Sequence, residues 1–161
     1  MICFEYVNSQ LHLRGMKNLL FTVLISSVLI GCETKPERVI ESEWNPEQPK
    51  LVAFYTVNEG DKIKLSEEKY YENGNLEYSG GYDADGNRDG DWKYYYPSGT
   101  LWSEGSYING LKSGIKKVYW PEGTIRYEGK FDNDEKTGRW VFYDKEGNIL
   151  DERDYSSTAE K

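Results

Sequence analysis

The chain has 161 residues, which is enough for one domain, and its 20 basic and 28 acidic residues give a formal net charge of −8. A surface this acidic disfavours nucleic-acid binding, which needs a basic face, and it also disfavours electrostatic attachment to anionic lipid. The 14 tyrosines and 16 glycines are typical of β-strands joined by many turns.

Residues 1–31 are predicted to form an export leader. Met16 and Lys17 precede the apolar run Leu19–Ile30, which is too short to span a bilayer as a helix but has the length of the apolar part of a secretory signal. We expect Met16 to be the true start, because the residues ahead of it serve no step of export.

The apolar run ends in Leu29-Ile30-Gly31-Cys32, and this end resembles the lipobox of bacterial lipoproteins. The resemblance implies that Cys32 carries a lipid and becomes the first mature residue. It further implies an exported protein that is lipid-anchored in the cell membrane or the outer membrane. The alternative is a buried N-terminal helix with an incidental cysteine, for which nothing downstream offers a helical partner.

Cleavage before Cys32 would also remove Cys3 and the one histidine, His12. The mature chain would then hold 18 basic and 27 acidic residues, a net charge of −9. Without histidine or an unmodified cysteine it would lack the residues for a disulfide framework, a Cys/His zinc site or histidine-assisted nucleophilic catalysis.

Residues 32–50 are predicted to be an extended tether. Pro36, Pro46 and Pro49 stand among charged residues, and low hydrophobicity combined with proline favours an unfolded linker. Trp44 is the one aromatic residue in this segment.

Residues 51–155 are predicted to form a repeat domain, because one pattern recurs at a spacing of 24 or 25 residues. A glycine is followed two residues later by an aliphatic residue and six residues after that by an aromatic one. The glycines are Gly74, Gly99, Gly123 and Gly147; the aliphatic residues are Leu76, Leu101, Ile125 and Ile149; the aromatic residues are Tyr82, Tyr107, Phe131 and Tyr155.

Alternating apolar and polar residues predict that each repeat is an antiparallel β-hairpin with one apolar face. Trp102 and Arg126 fall on the polar face in this alternation. Glycines in the middle of the strands are expected to leave space for a neighbouring aromatic ring, and they are Gly80, Gly105 and Gly129.

The turns fall into two predicted groups. Glycines such as Gly74 and Gly99 are expected to adopt the left-handed conformation in short hairpins. The other connections are expected to be longer and acidic, and they are Asp83–Asp89, Ile108–Ser113 and Asp132–Thr137.

The two ends of the repeat domain are predicted separately. Leu51–Val57 and Lys62–Tyr71 are expected to be strands that lead into the repeats. Asn148–Tyr155 is expected to be a charged strand that caps the sheet, and residues 156–161 a flexible tail.

The repeat resembles the MORN repeat, most clearly in Leu101-Trp102-Ser103-Glu104-Gly105-Ser106-Tyr107 and in Gly138-Arg139-Trp140-Val141-Phe142-Tyr143. It looks most like the bacterial variant found in YwqK-family antitoxins of toxin–antitoxin systems. The resemblance covers about residues 69–155. It implies an all-β fold in which repeated antiparallel hairpins form a single elongated, twisted meander sheet.

The aromatic row on the apolar face is the main candidate binding face. Its members are Trp92, Tyr94, Tyr96, Trp120, Trp140, Phe142, Tyr82, Tyr107 and Phe131. Each of these residues belongs either to the core or to an interaction surface, since a single sheet leaves part of such a face uncovered. A tyrosine row on the other face, Tyr95, Tyr119 and Tyr143, is a second, weaker candidate.

Asp85, Asn87 and Asp89 match the first half of an EF-hand calcium loop, with a glycine at its sixth position. The twelfth position is Tyr96, where a bidentate glutamate is required. The competing interpretation is an acidic hairpin loop. We therefore expect no metal and no other cofactor.

The sequence predicts a non-enzymatic protein, because the carboxylates are spread along a thin sheet with no cleft to raise the pKa of one of them. The leading hypothesis is a lipid-anchored protein-interaction module of the cell envelope, with the membrane reached through Cys32 and with neither nucleic acid nor a small-molecule substrate. One alternative is an antitoxin or immunity-type protein that neutralises a toxin by binding. A second alternative is a carbohydrate-binding or wall-binding module.

Overall fold

The computed structural model describes residues 35–156, and these form one open antiparallel sheet of ten strands. The order of the strands in the sheet is their order in the chain, and every neighbouring pair is antiparallel. The predicted all-β meander of hairpins is therefore confirmed. The predicted leader, Cys32 and residues 157–161 of the tail lie outside the described residues.

The strands are β1 (Glu37–Asn45), β2 (Gln48–Asn58), β3 (Asp61–Tyr70), β4 (Leu76–Tyr82), β5 (Arg88–Tyr95), β6 (Leu101–Ile108), β7 (Leu111–Tyr119), β8 (Ile125–Asp132), β9 (Glu135–Tyr143) and β10 (Ile149–Asp154). The predicted strands at 51–57, 62–71 and 148–155 correspond to β2, β3 and β10. Within residues 35–156 no helix has the length and apolar character needed to cross a membrane.

The predicted tether over residues 32–50 needs correction, because β1 pairs with β2 along its length. Two polar contacts hold the turn that joins them against the first repeat. The Trp44 indole donates a hydrogen bond to the carbonyl of Tyr70 at 2.9 Å, and the Gln48 amide donates one to the carbonyl of Glu72. The folded part of the chain thus begins by residue 37 and not at residue 51.

The glycine turns form as predicted. Gly74 has a φ of 84°, and its amide donates to the carbonyl of Tyr71, three residues earlier. Gly99, Gly123 and Gly147 repeat this geometry with φ between 89° and 95°. A side chain is strained at such φ values, so glycine is required in this position of the turn.

Two of the three connections that were expected to be long are two-residue turns. Asn109 and Gly110 join β6 to β7 with φ of 49° and 85°, while Asn133 and Asp134 join β8 to β9 with φ of 48° and 67°. Positive φ at both central residues is the type I′ pattern, which matches the right-handed twist of the strands. The remaining connection, residues 83–87, is a glycine turn like that at 144–148.

The buried side chains are few and occupy both faces of the sheet: Trp92, Trp140 and Val118 lie on the aromatic face, whereas the register places Val52 and Val141 on the opposite face. The fully buried side chains are led by Trp92, Trp140 and Val52, each at most 1% exposed, and Val118 is 4% exposed. Each of the two indoles lies flat on a glycine: a Cβ atom added at Gly80 would overlap Trp92, and one at Gly129 would overlap Trp140. The predicted role of these mid-strand glycines is therefore confirmed at two positions.

Candidate interaction surface

Of the nine candidate binding residues, Trp92 and Trp140 are core residues. Trp92 is 0% exposed and Trp140 is 1% exposed, so neither is an exposed side chain of this face. Their indole N–H groups donate to the carbonyls of Gly81 and Lys130, at 3.1 and 3.2 Å. Of the two interpretations, core or interaction surface, the structure therefore favours the core for these two residues, because the glycine opposite each ring lets it lie on the backbone.

Each buried indole is the centre of an aromatic cluster. Trp92 contacts Tyr78, Tyr82, Tyr94 and Tyr107 at centroid distances of 5.5–6.2 Å. Trp140 contacts Tyr127, Phe131 and Tyr155 at 5.1–6.1 Å, and Phe142 packs on Tyr127 at 5.8 Å. The outer rings are half-buried, so the predicted residues Tyr82, Tyr94, Tyr107, Phe131 and Phe142 keep one accessible side.

Tyr96 and Trp120 connect successive repeats. The Tyr96 hydroxyl donates to the carbonyl of Tyr119 at 2.8 Å, and the Trp120 indole donates to the carbonyl of Tyr143 at 3.3 Å. The Tyr71 hydroxyl likewise donates to the carbonyl of Tyr95. The bond from the Trp44 indole to the carbonyl of Tyr70 is the first of these connections along the chain. Tyr96 and Trp120 are half-buried, so they connect repeats while part of each ring stays exposed.

Trp102 lies on the aromatic face, although simple alternation predicts the polar one. A bulge between Leu101 and Ser103 shifts the register by one residue. The Trp102 ring consequently packs on Tyr94 and Tyr96, each at 6.2 Å, and it remains 44% exposed. Arg126 is moved in the same way and lies 4.6 Å above the Trp120 ring. Trp102 is thus a prominent exposed aromatic residue of this face that the sequence pattern misplaces.

A row of basic residues follows the same 24-residue period along this face: Lys64, Arg88, Lys112 and Lys136. Each cation lies above an aromatic ring, with Arg88 4.2 Å from the centroid of Trp92 and Lys136 4.4 Å from that of Trp140. Such contacts are attractive because the ring face carries negative partial charge. The repeat spacing alone could have revealed this row.

The buried carboxylate Glu67 compensates the first cation of the row. Lys64 donates to Glu67 at 2.6 Å, and the Tyr78 hydroxyl donates to it at 3.0 Å. Burial by itself would raise the pKa of Glu67, but hydrogen bonds from Lys64, Tyr82 and Tyr78 outweigh burial and lower it. Glu67 is therefore an ionised carboxylate that stabilises the fold, and it is only 6% exposed.

Lys116 occupies the position that Trp92 and Trp140 hold in the neighbouring repeats. Its side chain crosses Gly105, where an added Cβ would lie 2.9 Å from the Lys116 Cδ, and its amine donates to the buried Ser103 hydroxyl at 3.0 Å. Desolvation, followed by the charge of Lys112, lowers the pKa of Lys116. The lysine leaves a cleft of about 360 Å³ next to the Trp140 cluster.

The opposite face is polar, and two of its glutamates accept hydrogen bonds from tyrosines of the same face. Tyr119 donates to Glu104 at 2.6 Å, and Tyr143 donates to Glu128 at 3.0 Å. Burial and the hydrogen bond to Glu104 raise the pKa of Tyr119 to about 12. A groove of about 520 Å³ on this face is lined by both acids and lysines, together with the exposed side chain of Ile115. Two of the three tyrosines in this row, Tyr119 and Tyr143, thus use their hydroxyl groups in hydrogen bonds within the sheet.

The segment that resembles the first half of a calcium loop folds as a tight turn, which is closer to the competing interpretation of an acidic hairpin loop. The Asp83 carboxylate accepts hydrogen bonds from the backbone amides of Asp85 and Asn87, at 3.0 and 2.8 Å, and so closes the turn itself. These bonds, above all those from Asn87, lower the pKa of Asp83. Residues 35–156 contain no group of three acidic, histidine or cysteine side chains placed to hold a metal ion.

Three consecutive segments, residues 66–87, 88–109 and 112–133, match the family described as MORN repeat variant. The second segment contains β5 and β6, and the third contains most of β7 and all of β8. These three consecutive matches confirm the similarity to the MORN repeat over this part of the chain.

A search of curated proteins found no match. Among solved structures, one described as "Crystal Structure of TarM" is similar at 9% identity with a TM-score of 0.29. The match covers 71% of this chain and 18% of that chain. A likeness this weak supports no conclusion about function.

Proposed function

We propose that this protein is a non-enzymatic interaction module whose aromatic face binds another protein. The observation that carries the proposal is the half-buried layer of rings around Trp102, itself 44% exposed, on a sheet that has no second layer within residues 35–156. Partly exposed aromatic side chains are enriched where proteins meet, because they bury large area at little entropic cost. MORN repeats commonly mediate interactions with proteins or membranes, which agrees with this proposal.

The proposal is tested by affinity capture from membranes with three forms of the protein. Trp102→Ala should remove or strongly reduce the partner, because truncating an exposed aromatic anchor typically costs about 2 kcal/mol or more of binding. Ile115→Ala is the matched control, because Ile115 is 55% exposed in the groove of the opposite face. Equal recovery of the partner with all three forms would contradict the proposal, provided that circular dichroism shows unchanged folding.

The lipid anchor and the envelope location form a further part of the proposal. Their support is the resemblance of residues 29–32 to a lipobox, which implies a lipid on Cys32. Metabolic labelling with palmitate should therefore mark the wild-type protein and fail to mark Cys32→Ser. Labelling that persists in Cys32→Ser would refute the lipid anchor. It would not affect the proposal that the aromatic face binds a protein.

Neutralisation of a toxin would be a special case of protein binding by the same face. Its support is the resemblance of the repeats to the bacterial variant of YwqK-family antitoxins. Co-expression with a toxin encoded beside this protein should relieve toxicity, and Trp102→Ala should abolish the relief. Carbohydrate binding is tested by retention of the protein on peptidoglycan, which the protein-binding proposal predicts to be absent.

A further inference from the structure

The cleft beside Trp140 is the part of the aromatic face with an uncompensated positive charge. Three lysines, Lys112, Lys116 and Lys136, line it together with the rings of Tyr127, Phe131, Trp140 and Phe142. The one carboxylate that pairs with these amines within the described part of the chain is Asp134, 3.8 Å from Lys112. This pair is weak because both partners are nearly half exposed. A local excess of positive charge therefore exists in a chain whose net charge is −8.

Lys116 is the most buried of the three lysines, and its amine has no carboxylate partner among the residues that the structure describes. Its ammonium group can donate three hydrogen bonds, and one of them goes to Ser103. No carboxylate lies within ion-pair distance of it among residues 35–156. Glu104, whose charge favours the ammonium form, lies in the groove of the opposite face. By contrast, Lys64 at the other end of the face pairs with both Glu67 and Glu41.

The aromatic rings that line the cleft indicate that an anionic ligand would carry an apolar group beside its charge. Tyr127 and Phe142 pack on each other at 5.8 Å and are half-buried, so each leaves ring surface facing the cleft. Lysine ammonium groups are compact charges that bind carboxylates without demanding a bidentate geometry. A carboxylate attached to an apolar body therefore fits both the amines and the rings.

We propose that this cleft binds an aspartate or glutamate side chain of the protein partner, with an adjacent apolar residue of that partner on Tyr127 and Phe142. The proposal rests on the proposed function, because it takes the partner to be a protein, and it names the group that this partner presents. Lys116 replaces the tryptophan of the neighbouring repeats, so the substitution converts a core position into a recognition position. A carboxylate beside Lys116 would favour its ammonium form by charge attraction and hydrogen bonding, which offsets the desolvation that lowers its pKa.

The test measures binding of two matched peptides to the full-length protein by nuclear magnetic resonance. N-acetyl-Phe-Glu-amide carries the charge, and N-acetyl-Phe-Gln-amide has the same body without it. We expect the Glu peptide to shift the side-chain signals of Lys112, Lys116 and Lys136, and to bind about tenfold or more tightly than the Gln peptide, since hydrogen bonds to charged groups contribute about 1.5–3 kcal/mol. Equal binding of the two peptides, or no binding up to about 10 mM, would overturn the proposal.

Two substitutions at Lys116 and one at its neighbour complete the test. Lys116→Met keeps the apolar stem over Gly105 and removes the charge, while Lys116→Trp restores the residue that the adjacent repeats accommodate over glycine. Both should lose about tenfold or more in affinity for the Glu peptide. Lys117→Met should bind normally, because Lys117 lies in the groove of the opposite face near Glu128. Unchanged affinity in both Lys116 variants would refute the assignment.

Two further outcomes separate the possible causes of failure. Inorganic phosphate that binds as tightly as the Glu peptide, with the same dependence on Lys116, would show a general anion site and would overturn the carboxylate assignment. A partner that is captured by the wild type and lost with Trp102→Ala, but retained with Lys116→Met, would leave the proposed function intact and refute the role of the cleft.

Discussion

At the scale of single residues, the environment of three equivalent glycines distinguishes the repeats from one another. Gly80 and Gly129 each lie under an indole ring, whereas Gly105 lies under the aliphatic stem of Lys116. None of the three has positive φ, so space and not backbone conformation selects glycine here. A methyl group should therefore be tolerated at residue 105 but not at residues 80 and 129, because the lysine stem can move aside and a buried indole ring cannot.

Gly80→Ala is predicted to destabilise the protein much more than Gly105→Ala. The new methyl group at residue 80 must displace the buried Trp92, which should cost about 3 kcal/mol or more in free energy of unfolding. At residue 105 a shift of the Lys116 side chain relieves the contact, so the loss should stay below about 1 kcal/mol. Urea denaturation of the two variants checks this, and equal losses would contradict the packing described for Trp92.

Glu67 predicts an acid-sensitive component of stability. Its pKa is lowered in the folded protein, so the unfolded chain binds more protons as the pH falls. The contribution is present above the unfolded pKa and is lost as the pH drops through the lower, folded value. Urea unfolding between pH 7 and pH 3 should therefore show a loss of stability that is smaller in Glu67→Gln.

Glu67→Gln should also be less stable at pH 7, by about 2 kcal/mol, because hydrogen bonds to a charged acceptor are replaced by weaker neutral ones. A pH profile that is identical in wild type and Glu67→Gln would show that this carboxylate is not held in its ionised form by Lys64, Tyr82 and Tyr78. Glu72→Gln serves as the control, because Glu72 is exposed.

The sequence pattern predicted which positions lie on the aromatic face better than it predicted how deeply each side chain is buried there and what it contacts. The pairing of glycines with aromatic rings followed from the period, but the complete burial of Trp92 and Trp140 did not. Burial depends on how far a ring sinks between strands that are adjacent only in the folded sheet. The same holds for Lys116, whose departure from the repeat is visible in the sequence while its contact with Ser103 is not.

At the scale of elements, turns and bulges decide where the sequence pattern succeeds. Gly74 and its equivalents end a regular turn and were predicted with the right conformation. Asn109 and Gly110 are a strong signal for a two-residue turn, yet a longer connection was predicted over Ile108–Ser113. The bulge at Trp102 leaves no mark in the alternation, because one extra residue on one strand shifts the register without changing the composition.

The two-residue turns yield a reciprocal pair of predictions. Glu59 adopts a φ of 52° in the turn between β2 and β3, a conformation that asparagine tolerates better than glutamate. Glu59→Asn should therefore raise the free energy of unfolding by about 0.5–1 kcal/mol, and Asn109→Glu should lower it by a similar amount. Thermal unfolding measures both changes, and shifts of the same sign in the two variants would contradict the turn assignment.

At the scale of the whole sheet, the two faces differ in how their charges are balanced. The polar face pairs acids with lysines and tyrosines, while the aromatic face has a periodic row of cations above its rings and excess positive charge at one cleft. The sequence predicted the single repeated sheet but placed its beginning too late, because β1 lacks the glycine and aromatic period. Trp44 was the one sequence signal that this segment belongs to the sheet. Its indole makes the hydrogen bond that tyrosine hydroxyls such as that of Tyr71 make in later repeats.

Site-specific photo-crosslinking tests the central claim most directly, namely that the aromatic face is the binding surface. A photoreactive phenylalanine analogue is placed at residue 102 in one protein and at residue 115 in another, and membranes that contain each protein are irradiated. Both positions are exposed, at 44% and 55%, so reactivity alone does not favour either. We predict a defined protein adduct from residue 102 and none from residue 115; an adduct from residue 115 alone, or from neither position, would contradict the account.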